Sequence, residues 1–361
     1  MYRVWLASLK GVTRKTKISF VEKGVSEKEL FFMEEKLLRK LQLCTEKECD
    51  VLLRNRNLSE VEKHFELLQK HHIHCITIED RYYPRRLQNI QDPPYAIFYR
   101  GSLPEQQFPS VAVVGARRCS EYGRSIAISI GKQLGSCRVN VISGMALGID
   151  LAAHAGCLQA NGSTYGILGC GVDICYPPSS KSIYNTLIQN GEKGGILSEY
   201  PPGTDPIAYH FPERNRLISG LSDIVVVVEA AKKSGTLITV DCALEQGKDI
   251  YVVPGRITDR LSYGCNRLIE QGAQVLYDKD LFLKNVLKDL KKQPENNSIK
   301  KIMLEKQEIV VYSCVDLYPK SIRVLIEETQ LSVPELLDTL QSLKGKGLVI
   351  ETCQNYFVRQ E

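Results

Sequence analysis

Short apolar runs recurring at helix-length intervals constrain this chain most. The run Ile224–Val228 is β-branched throughout, with no alternating polar side. A strand with one wet face alternates, so this one is predicted to be buried on both faces. Comparable runs stand at 111–116, 140–144, 163–169, 194–199, 249–255 and 273–277, with the quoted run inside 223–230. Each is separated from the next by enough residues for a helix. Parallel strands need such crossovers, so the rhythm predicts an α/β fold with a parallel sheet covered on both faces, over 108–282.

The flanks read differently. Residues 1–75 carry Leu, Glu and Lys at helical spacing, as in "EKELFFMEEKLLRKLQL" and "LSEVEKHFELLQKH". Ser59 with Glu62 three residues on reads as a helix cap. Pro84, Pro93, Pro94 and Pro104 mark 76–107 as a connector. A Lys-rich linker with Pro294 and Asn296-Asn297 is expected over 283–308. The remainder, 309–361, reads helix, helix, hairpin, which predicts a winged-helix-like module; Ser332 precedes Pro334 as a cap.

Several function classes lose support at this level. No window of 18 uninterrupted apolar residues exists, so no membrane span is expected. The twelve cysteines include no CxxC pair. They read as reduced thiols, which places the protein in the cytoplasm. His71, His72 and His74 alternate with other residues as a strand edge would and do not make a metal set. The net charge of +5 is mild, so the distribution of charge must decide about a polyanionic partner.

In a parallel sheet, ligands bind beyond the carboxyl ends of the strands, beside helix N-termini. Those positions hold Gly115 to Arg118, Ser143-Gly144, Gly169 and Gly171 with Lys181 further on, Lys232 to Thr236, and Pro254-Gly255. Glycines let backbone amides approach a ligand, and amides with cations favour an anion. Their convergence on one rim predicts an extended anion, larger than one phosphate. "GARRCSEYG" is not GxGxxG, and GxxxxGK[ST] is absent, so neither a nicotinamide cofactor nor a P-loop nucleotide is expected. No nucleophile signature accompanies the cations; Asp150 and His154, four apart, are expected to make a structural contact.

The ordered blocks "VAVVGARRCSEYG", "VISGMALGIDLAAHAGCL", "GILGCGVDICYPPSS", "HFPERNRLISGLSDIVVVVEA", "KSGTLITVDCALEQGKDIYVVPG" and "GCNRLIEQGAQ" resemble the DNA-processing protein A (DprA/Smf) family. The resemblance runs over about 82 to 277. It implies an extended Rossmann-like domain that binds single-stranded DNA, forms a homodimer and passes the strand to the RecA recombinase, without cofactor or metal. It also implies a helical first domain, of SAM or helix-hairpin-helix type, and a winged-helix-like last one. By position it implies DNA contacts at Arg117, Ser143, Gly144, Lys181, Arg214, Asn215, Arg216, Ser234, Gly235, Thr236 and Asn266. Ser180 and Leu147 depart from the Asn and Arg frequent in the family, each removing one polar contact.

A rival class is the lysine decarboxylase-like phosphoribohydrolases, with PGGxGTxxE. Gly235-Thr236 align with its GT, but the glutamate position falls on Thr239, which cannot act as a carboxylate. The winged-helix-like module carries Glu335 and Asp338 where a reader of duplex bases would carry cations. A binding protein, not an enzyme, is expected.

Overall fold

The computed structural model describes residues 1–189, 193–287, 305–316 and 318–359. Two compact units, Met1–Lys291 and Lys292–Glu361, make up the chain. The first begins with short helices α1 (Tyr2–Ser8), α2 (Arg14–Glu22), α3 (Glu27–Phe32), α4 (Glu35–Lys40), α5 (Glu46–Arg54) and α6 (Leu58–Lys70). Side-chain caps set several of their starts: Ser26 with Glu29 and Thr45 with Glu48 form capping boxes. The cap of α6 is Asn57, whose side chain accepts from the Glu60 amide, and not Ser59 as expected. Asn57 lies one residue before the helix, where an acceptor reaches the free amides; Ser59 is already inside it.

The sheet contains β1 (His74–Thr77), β2 (Ala96–Gly101), β3 (Ser110–Val114), β4 (Asn140–Ser143), β5 (Thr164–Ile167), β6 (Gly194–Ser198), β7 (Ile224–Val227), β8 (Asp249–Val252) and β9 (Gln274–Val275). Their order is β1-β2-β6-β5-β4-β3-β7-β8-β9. From β6 to β9 every pairing is parallel, as the helix-length spacing requires. The stretch expected to be a connector supplies β2, which pairs antiparallel with β6 at Phe98 opposite Ser198. An antiparallel edge needs no crossover helix, so it falls outside the strand–helix rhythm.

Helices α7 (Arg85–Gln88), α8 (Glu121–Ser136), α9 (Ile149–Gln159), α10 (Lys181–Gln189), α11 (His210–Gly220), α12 (Gly235–Glu245), α13 (Tyr263–Glu270) and α14 (Lys279–Leu287) complete the unit. Alternate strand residues serve opposite layers. Val111, Val113, Val141 and Val226 pack with α8, α9 and α14. Ala112, Val114, Val225 and Val227 pack with Leu217 and Ile218 of α11 and Val240 of α12. A third cluster joins Trp5, Leu30 and Leu52 of the first helices to Phe98 and Ile196 of the sheet.

The second unit is built separately from α15 (Lys306–Cys314), β10 (Lys320–Ser321), α16 (Ile322–Thr329), α17 (Val333–Gly345), β11 (Val349–Cys353) and β12 (Tyr356–Arg359). Its strands order as β10-β12-β11 against a core of Val311, Leu325, Leu336 and Leu340. Ser332 caps α17 in a box with Glu335, and Pro334 sits in its first turn. Of the linker expected over 283–308, residues 288–304 lie outside the described residues. No described helix is long and apolar enough to cross a membrane.

Candidate nucleic-acid interface

Chain direction along the sheet runs outward from β3 on both sides, to β4, β5 and β6 one way and β7, β8 and β9 the other. Crevices open at such a switch, between β3 and β7. A cavity of about 490 Å³ lies there. The loop after β3 lines it with Arg117 and Arg118, both exposed. From α11 come Phe211, Arg214 and Asn215, and from the turn into α12 come Lys233, Ser234, Gly235 and Thr236.

Each wall is fixed by local chemistry. Ser234 caps α12, its hydroxyl accepting from the Thr236 amide at 3.3 Å. The positive end of that helix therefore faces the cavity together with Lys233. The loop after β3 is fastened from β7: Glu229, 5% exposed, accepts from the Ser120 amide at 2.9 Å and from its hydroxyl at 2.5 Å. Ser120 in turn caps α8 through the Gly123 amide, 3.0 Å away. A Cβ at position 123 would overlap the Glu229 carboxyl, so only glycine lets that carboxylate in.

Beneath the cavity, Arg214 is buried and its guanidinium donates to Gly144 O at 2.8 Å and to Ile167 O. Asp150, buried beside it, accepts from the amides of Gly144 at 3.0 Å and Ala146 at 3.3 Å. Burial pushes the Asp150 carboxyl up to about 6 and Arg214 down to about 10, each opposed by the other's charge. A Cβ on Gly144 would stand 2.6 Å from Arg214 Nη1 and 2.8 Å from Asp150 Oδ2. The pair and the turn after β4 are thus one packed unit.

Two guanidinium groups approach the Phe211 ring. The Arg117 and Arg214 carbons are each 5.9 Å from its ring centroid. The Tyr176 ring, 39% exposed, lies 5.3 Å from Phe211. A side cavity of about 100 Å³ continues from Arg117 and Phe211 past Leu147 to Tyr176. Cations, amides and aromatic faces therefore follow one another along a single path.

The positions singled out from sequence separate into groups. Arg117, Arg214, Asn215, Ser234, Gly235 and Thr236 line the main cavity, and Gly144 lines its side extension. Ser143 is fully buried, its hydroxyl donating to Val113 O at 2.6 Å. Asn266 clamps Gly255, accepting from its amide at 3.3 Å and donating to its carbonyl at 3.0 Å. Lys181 is exposed on the first turn of α10 and lines neither cavity. Arg216 turns away and pairs with Glu199, which also receives Arg14 at 3.3 Å. Asp92 joins Arg14 at 2.6 Å. Ser180 is buried with its hydroxyl donating to Pro177 O at 2.7 Å.

Asp150 and His154 do not pair. The His154 ring instead meets Thr164 Oγ1 at 2.7 Å, and that hydroxyl donates to Val141 O at 2.9 Å. The hydroxyl proton is committed to Val141, so His154 donates through Nδ1–H. Asp150 is drawn off by amides of the β4 turn, which helix spacing alone does not reveal. Phe211, Asp150 and Glu229 were absent from the expected contacts, and Tyr176 entered only as the start of the strand-end stretch that leads to Lys181; the sign for Phe211 was an aromatic directly ahead of "PERNR". Among the described residues no group of His, Cys, Asp and Glu is placed to hold a metal.

A family model described as DNA recombination-mediator protein A matches residues 74–287. DNA processing protein DprA of Streptococcus pneumoniae is 43% identical over 200 residues, 55% of this chain and 70% of that protein. Protein Smf of Escherichia coli is 35% identical over 289 residues, 78% of this chain and 76% of that protein. The X-ray structure of the S. pneumoniae protein superposes with a TM-score of 0.66 at 32% identity, covering 78% of this chain and 95% of that one. DNA processing protein A of Helicobacter pylori, solved for its unique single-stranded DNA binding mode, gives 0.53 at 30% identity, over 60% of this chain and 98% of that one. With the sheet, the switch-point cavity and these relatives in agreement, the chain belongs to the DNA processing protein A family.

Proposed function

We propose that the protein binds single-stranded DNA along the switch-point cavity and its side extension. The observation that carries this reading is Phe211, approached by Arg117 and Arg214 and followed by exposed Tyr176. A single strand offers phosphates to cations and amides and base faces to aromatic rings, whereas a duplex hides its base faces. Arg117 and Lys233 take phosphate from solvent; Arg214, buried, supplies charge from below and holds the Gly144 turn. Binding without turnover is supported by Thr239, which lines the cavity where a phosphoribohydrolase would place its glutamate. The family reading extends to a homodimer through the Rossmann-like domain, for which Leu244, 60% exposed on α12, offers apolar surface. It extends also to delivery of the strand to the RecA recombinase in the cytoplasm.

Titration of labelled oligo-dT against a duplex of equal length, repeated over salt, tests the reading. Single strands should bind more tightly, with log affinity falling linearly in log salt. Arg117→Ala should weaken binding to every sequence alike by about 1–3 kcal/mol. Equal affinity for duplex and single strand, or an unaffected Arg117→Ala protein, would refute it.

A further inference from the structure

The loop between β8 and α13, residues 254–262, stands beside the same cavity and has no part in the path described so far. Its base is tied down: Asn266 clamps Gly255 at both backbone groups, and Ala230 N, just beyond β7, donates to Leu261 O at 2.8 Å. Within it, Asp259 N donates to Arg256 O at 3.1 Å and Ser262 N to Asp259 O at 3.0 Å. Leu261 lines the cavity with Lys233 and Ser234, so the C-terminal end of the loop stands at the rim.

Within the loop Ile257 is 94% exposed, more than any other large apolar side chain among the described residues. Scattered surface aliphatics are ordinary, but most keep one side against the protein. Here the whole side chain is in water, on a tethered loop, with exposed Arg260 three residues on. Lys232, over the Tyr263 ring at 5.4 Å, adds a cation next to the loop's end. An apolar point among cations fits a ligand that alternates anionic and flat apolar groups.

We infer that Ile257 is a base-contacting wedge: a single strand leaving the cavity runs over this loop, with phosphates toward Arg260 and Lys232 and a base packed on Ile257. The inference rests on the single-strand reading above. Apolar wedges of this kind press on bases where arginines hold the backbone. The contact adds affinity only where a base is present, which separates it from the phosphate contacts of Arg117.

The experiment compares labelled oligo-dT with an abasic phosphodiester of the same length, at fixed salt. Wild type should prefer oligo-dT. Ile257→Ser should lower oligo-dT affinity by roughly three- to tenfold, the scale of half-burying an Ile side chain. Its affinity for the abasic strand and its salt slope should be unchanged, and Ile257→Val should retain most of the preference. Equal loss on both strands, no loss on either, or a changed oligomeric state in sedimentation would overturn the wedge and, in the last case, assign Ile257 to a protein contact. Arg117→Ala is the control that keeps the two readings apart. It should weaken both strands together, and if it weakens neither, the cavity reading fails independently of the loop.

Discussion

Replacing Glu229 by alanine tests how the arginine loop is held. The carboxylate accepts two hydrogen bonds from Ser120, at 2.9 and 2.5 Å, in a site only 5% exposed. Hydrogen bonds to a charged group contribute about 1.5–3 kcal/mol each, and an anion near the head of α8 contributes about 0.3–1 kcal/mol more. Part of this is recovered, because Ser120 is half-buried and water can reach its amide, while its hydroxyl still caps α8. The net loss should be about 3 kcal/mol. At about 2–4 °C per kcal/mol for a domain of this class, melting should fall by about 6–12 °C. Glu229→Gln, which keeps one acceptor without the charge, should fall between. Gly123→Ala should act like Glu229→Ala despite adding volume, because its methyl displaces the same carboxyl. Melting followed by circular dichroism, paired with oligo-dT titration, reads both consequences. Affinity should drop with stability, since Arg117 and Arg118 ride on the loop that Ser120 ends. An alanine variant melting within about 1 °C of wild type would refute the fastening, and lost stability with unchanged affinity would separate it from binding.

Other expectations follow from the same contacts. Arg216→Ala should cost about 2 kcal/mol of stability by breaking the half-buried pair with Glu199, yet leave oligo-dT affinity within about twofold, measured on the same protein. Burial pushes His154 down to about 3 from 6.5, so the folded protein refuses a proton that the unfolded chain accepts. Stability from this group is complete above 6.5 and is lost as pH falls from there toward 3; denaturant titrations at pH 7.5 and 5.5 should show wild type losing about 1.4 kcal/mol relative to His154→Asn. A chain ending at Lys291 should unfold in one transition and bind oligo-dT within about threefold of the full chain, because it contains a complete compact unit.

Much of the fold is legible locally. The strands β3 to β9 fall where the short apolar runs stand, and β3 to β6, buried at every residue, show why: burial on both faces demands a largely apolar segment. The cap at Ser332 was also readable, since a cap is a short-range hydrogen bond. The strand β2 was not, because its evident neighbours are prolines and its partner Ser198 lies far along the chain from Phe98. Asp150 and His154 show the limit of helix spacing: four residues apart permits a contact, but amides at Gly144 and Ala146 and the hydroxyl of Thr164 took the side chains instead.

By itself the sequence determined that a parallel sheet would gather cations and small hydroxyl residues at its strand ends, because periodicity and turn chemistry act over a few residues. Only the tertiary structure decided which of those residues face the ligand. Arg214 and Arg216 are two apart on α11, so helix geometry sends them in different directions. One meets Gly144 and Asp150 beneath the cavity; the other meets Glu199, with Arg14 and Asp92 completing the cluster. Those partners come from strands and helices distant in the chain, and a charge commits to whichever opposite charge the packed fold brings within reach.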